Sequence, residues 1–466
     1  MKGLGAKEVR LSDVFSHPEK RAEAEFYLAP DGVPRNYVLG QVAIPFAQYG
    51  TSDELNEEGI GFPVLRLNEI TDGFIDPAEK SCASLTLRDF EELHLRRGDV
   101  LVCRTNGNPR LVGQSGLVVE DTPVAFASYL FRVRPDPTVI SPASLMVFLN
   151  STRGRLEIEK HSIRSNQVNF SPERLRQARV PRLSAALQRR IDLAVASSYT
   201  QRRSADAEYS RAEAFLLRAL GLNGWQPPEP LSYVRRAADV LASDRFDAEH
   251  HQEQYYALAT KLRAYPGGCL TLGEICPHPV NGVEIREYTE EGVPYLRVGD
   301  LHNFTVSRAG VKQVSKAAAA AEIEKVRLRA GDVLVSRSGS LAVTCVVEPE
   351  WTHAVISSHL IRVRLSEPDY NPHYVAVFLA AMAGRMQIIQ QSNGAVQPEI
   401  SQPSLKRILI PRLPLEQQLQ VRDRVYAAHS ARQRAVAGLD AAKRAVEIAI
   451  GDSETAALAH LNNDGE

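Results

Sequence analysis

Four loops of this chain concentrate the side chains that suit base reading in a nucleic acid. Arginine can contact guanine through two hydrogen bonds at once, and asparagine or glutamine can do the same to adenine. In the first half these residues are Arg104, Asn106, Asn108 and Arg110, followed by the run Ser162-Ile163-Arg164-Ser165-Asn166-Gln167. In the second half they are Arg337-Ser338-Gly339-Ser340, then Ser392-Asn393-Gly394-Ala395-Val396-Gln397. Arg132, Arg134, Arg362 and Arg364 alternate with apolar residues in two short β-type runs, so one face packs and the other presents cations. Those cations suit phosphate contacts; an exposed strand face paired to acids accounts for them equally well. A polar loop is commonly just solvated, and recurrence is what gives these loops weight. Gln397 follows Gln167 by 230 positions, and Ser392 follows Ser162 by the same interval.

Residues for covalent or metal chemistry are missing from the pattern. There is no glycine-rich phosphate loop, no HExxH and no GxSxG. Asn108-Pro109-Arg110 fails the Asn-Pro-Pro-aromatic pattern that DNA amino-methyltransferases place around a target base. The pair His250-His251 has no companion ligand cluster and is expected at the surface. The five cysteines form no CxxC pair, so neither a zinc site nor a disulfide framework is expected, and a reducing cytoplasm fits. No catalytic and no metal-binding residue is assigned.

Bulk properties set outer limits. At 466 residues and 44% hydrophobic, the chain can build more than one sizeable core. No apolar run approaches a membrane span, and Met1-Lys2-Gly3 does not lead into a signal region, so neither membrane insertion nor export is expected. The net charge of −1 hides polarity: residues 51–96 hold 4 basic and 11 acidic side chains, and residues 97–182 hold 13 basic and 7 acidic. A basic surface is compatible with that total, as are two ordinary solvated faces. The corresponding second stretch, 330–412, is nearly balanced, with 7 basic and 6 acidic.

The elements that must position the loops come in duplicate. Gly98-Asp99-Val100-Leu101-Val102 matches Gly331-Asp332-Val333-Leu334-Val335, and each is followed two positions on by an arginine, Arg104 or Arg337. Ser128-Tyr129-Leu130-Phe131-Arg132-Val133-Arg134 matches Ser358-His359-Leu360-Ile361-Arg362-Val363-Arg364. Arg21-Ala22-Glu23-Ala24-Glu25 matches Arg245-Phe246-Asp247-Ala248-Glu249, and Pro181-Arg182-Leu183 matches Pro411-Arg412-Leu413. Each repeat reads as mostly β, with a helical stretch at 141–158 or 371–389 and a final strand ended by its proline. Long repeats of this kind define the architecture.

After each repeat comes a heptad seam. Ile191, Val195, Ser198, Arg202, Ala205, Tyr209, Ala212, Leu216 and Ala219 are spaced by four and three. Adding 230 gives Val421, Val425, Ala428, Arg432, Ala435, Leu439, Ala442, Val446 and Ala449, and the one cation of the second seam, Arg432, falls on Arg202. The helices either pair with each other or lie on their own globular parts; the duplicated arginine favours an antiparallel coiled coil. A helix of about 36 residues spans ~50 Å, a separation suited to two half-sites about one to one and a half turns apart on duplex DNA. The expected fold is α+β and pseudo-two-fold symmetric. It has a globular domain at 1–184, a long helix at 185–222, a second domain at 223–413, a second helix at 414–451 and a short frayed tail at 452–466.

These residues in this order resemble the specificity (S) subunit of type I restriction–modification systems. The motifs that carry the resemblance are Arg-Phe-Asp-Ala-Glu at 245–249, Gly-Val-Pro-Tyr-Leu-Arg-Val at 292–298 and Gly-Asp-Val-Leu-Val-Ser-Arg at 331–337. A fourth is Ile-Pro-Arg-Leu-Pro-Leu-Glu-Gln-Gln at 410–418, which leads into the long helix. The first repeat departs from the pattern: residues 181–188 lack the second proline and the glutamate, which sets the two helix starts apart as docks for a partner. The resemblance implies two target-recognition domains that read a bipartite sequence in double-stranded DNA. The helices would act as ruler and as dock for two methyltransferase subunits, beside a separate restriction and translocation subunit. S-adenosylmethionine and ATP would bind those partners, with no cofactor on this chain. A specificity-like adaptor of another defence or modification system, or a scaffold that binds only protein, are the alternatives.

Overall fold

The computed structural model describes residues 8–16, 23–75, 81–164, 168–302, 304–307, 310–394 and 397–463. Two compact units emerge. One comprises the chain up to Arg202 together with everything from Gln433 on; the other runs from Arg203 to Arg432. Each therefore owns a globular head and half of both long helices, which span Ala185–Ala219 and Leu415–Gly451.

In the first unit a six-stranded sheet has the order Phe46–Tyr49, Leu130–Arg134, Val100–Cys103, Ser115–Leu117, Phe74–Ile75, Ile70–Thr71. The second unit has a smaller sheet of four, ordered Val280–Asn281, Leu360–Val363, Val333–Ser336, Thr344–Val346. The duplicated motifs meet in both. Val100 lies opposite Val133 and Val333 opposite Val363, in antiparallel register. The Gly-Asp pair that precedes the central strand is a turn: Gly98 and Gly331 both sit at φ +88°, where a Cβ would be strained.

The helical stretches expected as single elements are each broken in two. Pro142–Asn150 is followed by Thr152–His161, and Pro372–Ala380 by Met382–Gln391. The cause is a tight crossing. A Cβ on Gly154 would lie 1.9 Å from the Phe148 carbonyl oxygen, and one on Gly384 2.1 Å from that of Phe378, so only glycine fits. These helices cover one face of each sheet, with Leu145 and Phe148 packed among Val100, Phe131 and Val133. The prolines end the last strands as expected, and those strands, Arg179–Pro181 and Leu409–Pro411, pair with Tyr37–Leu39 and Cys269–Thr271.

Within each unit the two helix halves pack against one another and run antiparallel. In the first, Gln201 accepts from Arg434 Nε at 3.0 Å, and a Cβ on Gly438 would meet Ser198 Oγ at 2.5 Å. In the second, Glu208 pairs with Arg424 at 3.3 Å. Ile191, Val195, Leu439 and Val446 are buried in the first core, and Leu216, Val421 and Val425 in the second. Burial of such a side chain contributes roughly 1.5–3 kcal/mol, so the seam is a main source of helix stability. The cation in the first seam turns toward its head: Arg202 is buried, with Nη1 donating to the Thr71 carbonyl at 2.9 Å and Nη2 to Thr71 Oγ1 at 2.6 Å. Arg432 and Tyr209 are half-buried in the second unit. Burial pushes the Tyr209 hydroxyl pKa up, against the opposing charge of Arg432, and its ring packs near Phe304.

The tail corrects an expectation. Residues Glu454–Asn463 form a helix whose Ala457 and Leu461 are buried in the first unit's core. Spaced four apart, they make one apolar stripe on a helix of 10 residues, too short for a heptad pattern to announce.

Candidate nucleic-acid interface

The central strand of each head leads straight into the candidate loops. In the first head, Val100–Cys103 continues through Arg104 into the short strand Thr105–Asn106, which pairs with Val168–Asn169; that strand pairs in turn with Ile163–Arg164. Residues 105–106 and 163–164, from the two loops singled out separately, thus join 168–169 in one three-stranded ribbon. It is pinned by Phe170 N donating to the Arg104 carbonyl at 2.9 Å and by Thr105 Oγ1 donating to the Val168 carbonyl at 3.2 Å.

The second head repeats the arrangement. Ile400 N donates to the Arg337 carbonyl at 2.8 Å, and Ser338 and Asn393 each bridge to Glu399. Gly339, at φ +79°, and Gly394, at φ +100°, make the sharp bends.

Within these ribbons the side chains divide by exposure. Asn108 and Arg110 are exposed in the first head, and Asn393 and Gln397 in the second. Arg104 and Asn106 are half-buried; the Arg104 guanidinium lies 5.5 Å from the centre of the Tyr49 ring. The Asn106 and Asn108 side chains shape the loop: Asn106 Oδ1 accepts from Asn108 N at 2.7 Å, and Asn108 Oδ1 from Arg110 N at 3.1 Å. Arg155 fastens the loop from below, donating to the carbonyls of Val112 at 2.6 Å and Arg110 at 3.0 Å. Arg337 is ion-paired with Glu399. Ser338 is buried, its Oγ 2.5 Å from His359 Nδ1. The backbone of Arg164 lies in the ribbon, whereas its side chain, Asn166 and Gln167 fall outside the described residues.

The four strand arginines do not present a phosphate-facing row. Arg132 is 1% exposed, and its guanidinium donates to the carbonyls of Glu92 at 2.7 Å and His94 at 2.8 Å, to Asp99 at 3.2 Å and to Gln48. Arg134 binds Asp99 Oδ1 at 2.5 Å. In the second head Arg362 is buried and donates to the Arg327 carbonyl at 2.9 Å, while Arg364 grips Asp332 through two bonds of 2.7 Å. The cause is that both faces of this strand are covered, so alternation does not put the second face in water. The aspartate of the first Gly-Asp motif holds both arginines of its partner motif, and that of the second holds Arg364.

Sequence reasoning missed two features. Tyr49 and Tyr129 stand beside Arg104, 39% and 43% exposed, and their positions at a strand end and in a separate turn gave no local signal. It also misplaced His250 and His251, which are buried at 4% each. His250 Nδ1 lies 2.8 Å from the Gln390 carbonyl, and His251 Nε2 lies 2.7 Å from that of Arg245. Arg245 donates to Asp247 through Nε and Nη2 and reaches the Ser392 carbonyl through Nη1 at 3.2 Å, so this motif anchors the base of the second ribbon.

Burial holds the His250 pKa below its ordinary value, helped by the nearby positive charge of Arg245. The folded imidazole stays neutral where the unfolded one, near pH 6.5, already takes a proton. The resulting stability is complete above that pH and is lost as pH falls through it toward the lowered folded value. The melting temperature is expected to drop between pH 7.5 and 5.5, and His250→Gln to flatten that drop. An equal drop in the variant would exclude His250 as its source.

Among the described residues no three His, Cys, Asp or Glu are grouped to hold a metal, and no helix is long and apolar enough to cross a membrane. The five cysteines are unpaired, and burial pushes the Cys103 and Cys269 thiols up to about 11.

No family model matches the chain. Over 108 residues it is 27% identical to the type I restriction enzyme EcoKI specificity subunit of Escherichia coli (strain K12). That match spans 23% of this chain and 23% of the length of that curated protein. Among solved structures, the type I restriction–modification S subunit from M. genitalium aligns with 93% of this chain and 97% of its own, at 12% identity and a TM-score of 0.40. The HsdS subunit from Thermoanaerobacter tengcongensis aligns with 92% and 97%, at 17% identity and a TM-score of 0.27. The chain is similar to the specificity subunits of type I restriction–modification systems.

Proposed function

We propose that this chain is the DNA specificity subunit of a type I restriction–modification complex and carries no catalytic centre of its own. The observation that carries this reading is the pair of ribbons. In each head two loops rich in arginine and amides, far apart in sequence, are joined at the same place beside the same central strand. Head 1, within 1–184, reads one half of a bipartite duplex target, and head 2, within 223–413, reads the other. Exposed Arg110, Asn108, Asn393 and Gln397 supply base or phosphate contacts. Methyltransferase subunits, two per complex, dock on the chain and bind S-adenosylmethionine; a restriction and translocation subunit uses ATP. The complex works in the cytoplasm.

The test pairs affinity capture with methylation-sensitive sequencing of the native cells, with and without the gene. Co-purification of a DNA methyltransferase and loss of one split methylated motif on deletion are the expected results. Capture without a methyltransferase, together with an unchanged methylome, would refute the proposal.

A further inference from the structure

At the root of each ribbon the backbone is the same and the side chains are not. Arg104 N donates to the Tyr129 carbonyl and Arg337 N to the His359 carbonyl, both at 2.7 Å, and Phe170 N and Ile400 N donate to the two arginine carbonyls. Intervals of 233 and 230 place Arg104 on Arg337, Tyr129 on His359 and Asn169 on Glu399. Asn169 lies opposite Thr105 and Ile163 as Glu399 lies opposite Ser338 and Asn393, so the two positions coincide in the fold as well.

The exchange of Asn169 for Glu399 reverses what each site offers. In the second head the Arg337 guanidinium is ion-paired with Glu399 Oε1. The Glu399 side chain is 45% exposed, and among the described residues its Oε2 accepts no hydrogen bond, so this spot presents an acceptor. In the first head Asn169 brings no charge. Among the described residues the Arg104 side chain forms no hydrogen bond and no ion pair, and its Nε is buried without a partner. The guanidinium lies over the Tyr49 ring instead, and Tyr49 is held by its hydroxyl donating to Glu173 Oε2 at 3.0 Å. Tyr49 stands opposite Phe131; the counterpart of Phe131, Ile361, stands opposite Asn281, so the second head has an amide where the first has a ring. The spot in the first head presents donors.

We propose that Arg104 and Glu399 are matching specificity-determining residues of opposite sense, Arg104 reading a guanine in the first half-site and Glu399 a cytosine in the second. The inference rests on the DNA-specificity function proposed above and names one base of each half. A guanidinium fork fits the O6 and N7 acceptors of guanine, whereas a carboxylate oxygen accepts from the N4 amino group of cytosine. Adenine also offers an amino group, but its neighbouring N7 is an acceptor and repels a carboxylate. A phosphate contact needs only exposed charge, as at Arg110; Arg104 is half-buried against a ring, which fixes its orientation as bidentate base reading requires. Both heads therefore meet a G·C pair, the first at its guanine edge and the second at its cytosine edge.

The experiment uses the complete complex and duplexes carrying its methylated motif, with each base pair of each half-site replaced in turn and binding measured by competition. The wild type is expected to lose about 5- to 150-fold when one G·C pair of either half is replaced. Arg104→Lys keeps the charge without the fork, and Asn169→Glu gives the first head the carboxylate of the second. Each is expected to abolish discrimination at that one position of the first half-site. Glu399→Asn removes the acceptor and releases Arg337, and is expected to abolish the preference for cytosine at one position of the second. In every variant the unaltered half-site, read in the same titration, reports that the complex is intact. Discrimination that survives in Arg104→Lys, while Arg104→Ala lowers affinity for every duplex alike and flattens the salt dependence, would make Arg104 a phosphate contact and overturn the proposal. Unaltered base preference in both Arg104→Lys and Glu399→Asn, or a first half-site without a discriminated G·C pair, would overturn it too. A wild-type complex with no sequence preference at all would overturn the specificity-subunit reading, and this inference with it.

Discussion

Asp99→Ala is expected to destabilise the first unit by about 3–5 kcal/mol, the range for removing one partner of a buried ion pair. Asp99 is 1% exposed and serves three donors: Arg132 at 3.2 Å, Arg134 at 2.5 Å and the Arg96 backbone N–H at 3.0 Å. Alanine would leave the Arg132 guanidinium buried without its carboxylate and would undo the turn that starts the central strand. Asp332→Ala removes the matching hub, where Arg364 and the Arg329 N–H are each held at 2.7 Å. Because Arg364 is partly exposed, the smaller loss belongs to the second unit. Urea unfolding of the full chain, followed by probes in each unit, measures both. Arg110→Ala is the control, since an exposed loop residue should shift stability by no more than about 0.5 kcal/mol. A change below about 1 kcal/mol for Asp99→Ala would mean that the arginines find other partners and that the duplicated motifs are not the framework of the heads.

The second large effect falls on DNA. In the assembled complex, Arg110→Ala is expected to weaken binding to the methylated target by about 1–3 kcal/mol, roughly 5- to 150-fold. If Arg110 reads a base, specificity at one position of the first half-site relaxes; if it holds a phosphate, affinity falls uniformly and the salt dependence flattens by about one ion. Gln397→Ala is expected to act on the second half-site alone, because its ribbon belongs to the other head. Competition binding across a salt series, with duplexes altered in one half at a time, separates these outcomes. Unchanged affinity and unchanged half-site preference in both variants would remove the ribbons as the reading surface. Arg132→Ala makes a telling comparison, since its effect should be on folding and not on the salt slope.

Much of the architecture could be read from residue order. Repetition at intervals of 230 and 233 places the central strand pair of one head on its counterpart, because copied sequence buries the same side chains in the same register. The heptads at Ile191–Leu216 and Val421–Val446 announced two long helices, since a stripe that long has to be covered. The candidate loops stood out by type: arginine and amides beside glycine, in segments with no apolar period.

Sequence by itself therefore determined the duplication, the long helices and the chemical kind of the loops, all of which are local or periodic properties. Tertiary structure decided which polar groups are available. Arg132 and Arg362 look as accessible as Arg110 in a string of letters, yet burial under neighbouring segments commits the first two to carbonyls and carboxylates. It also decided that residues 105–106 and 168–169 are strands of one ribbon, that His250 and His251 lie inside, and that the tail is a docked helix. Each of these depends on contacts between residues tens to hundreds of positions apart, where a side chain's environment is set by what packs over it and not by its neighbours in the chain.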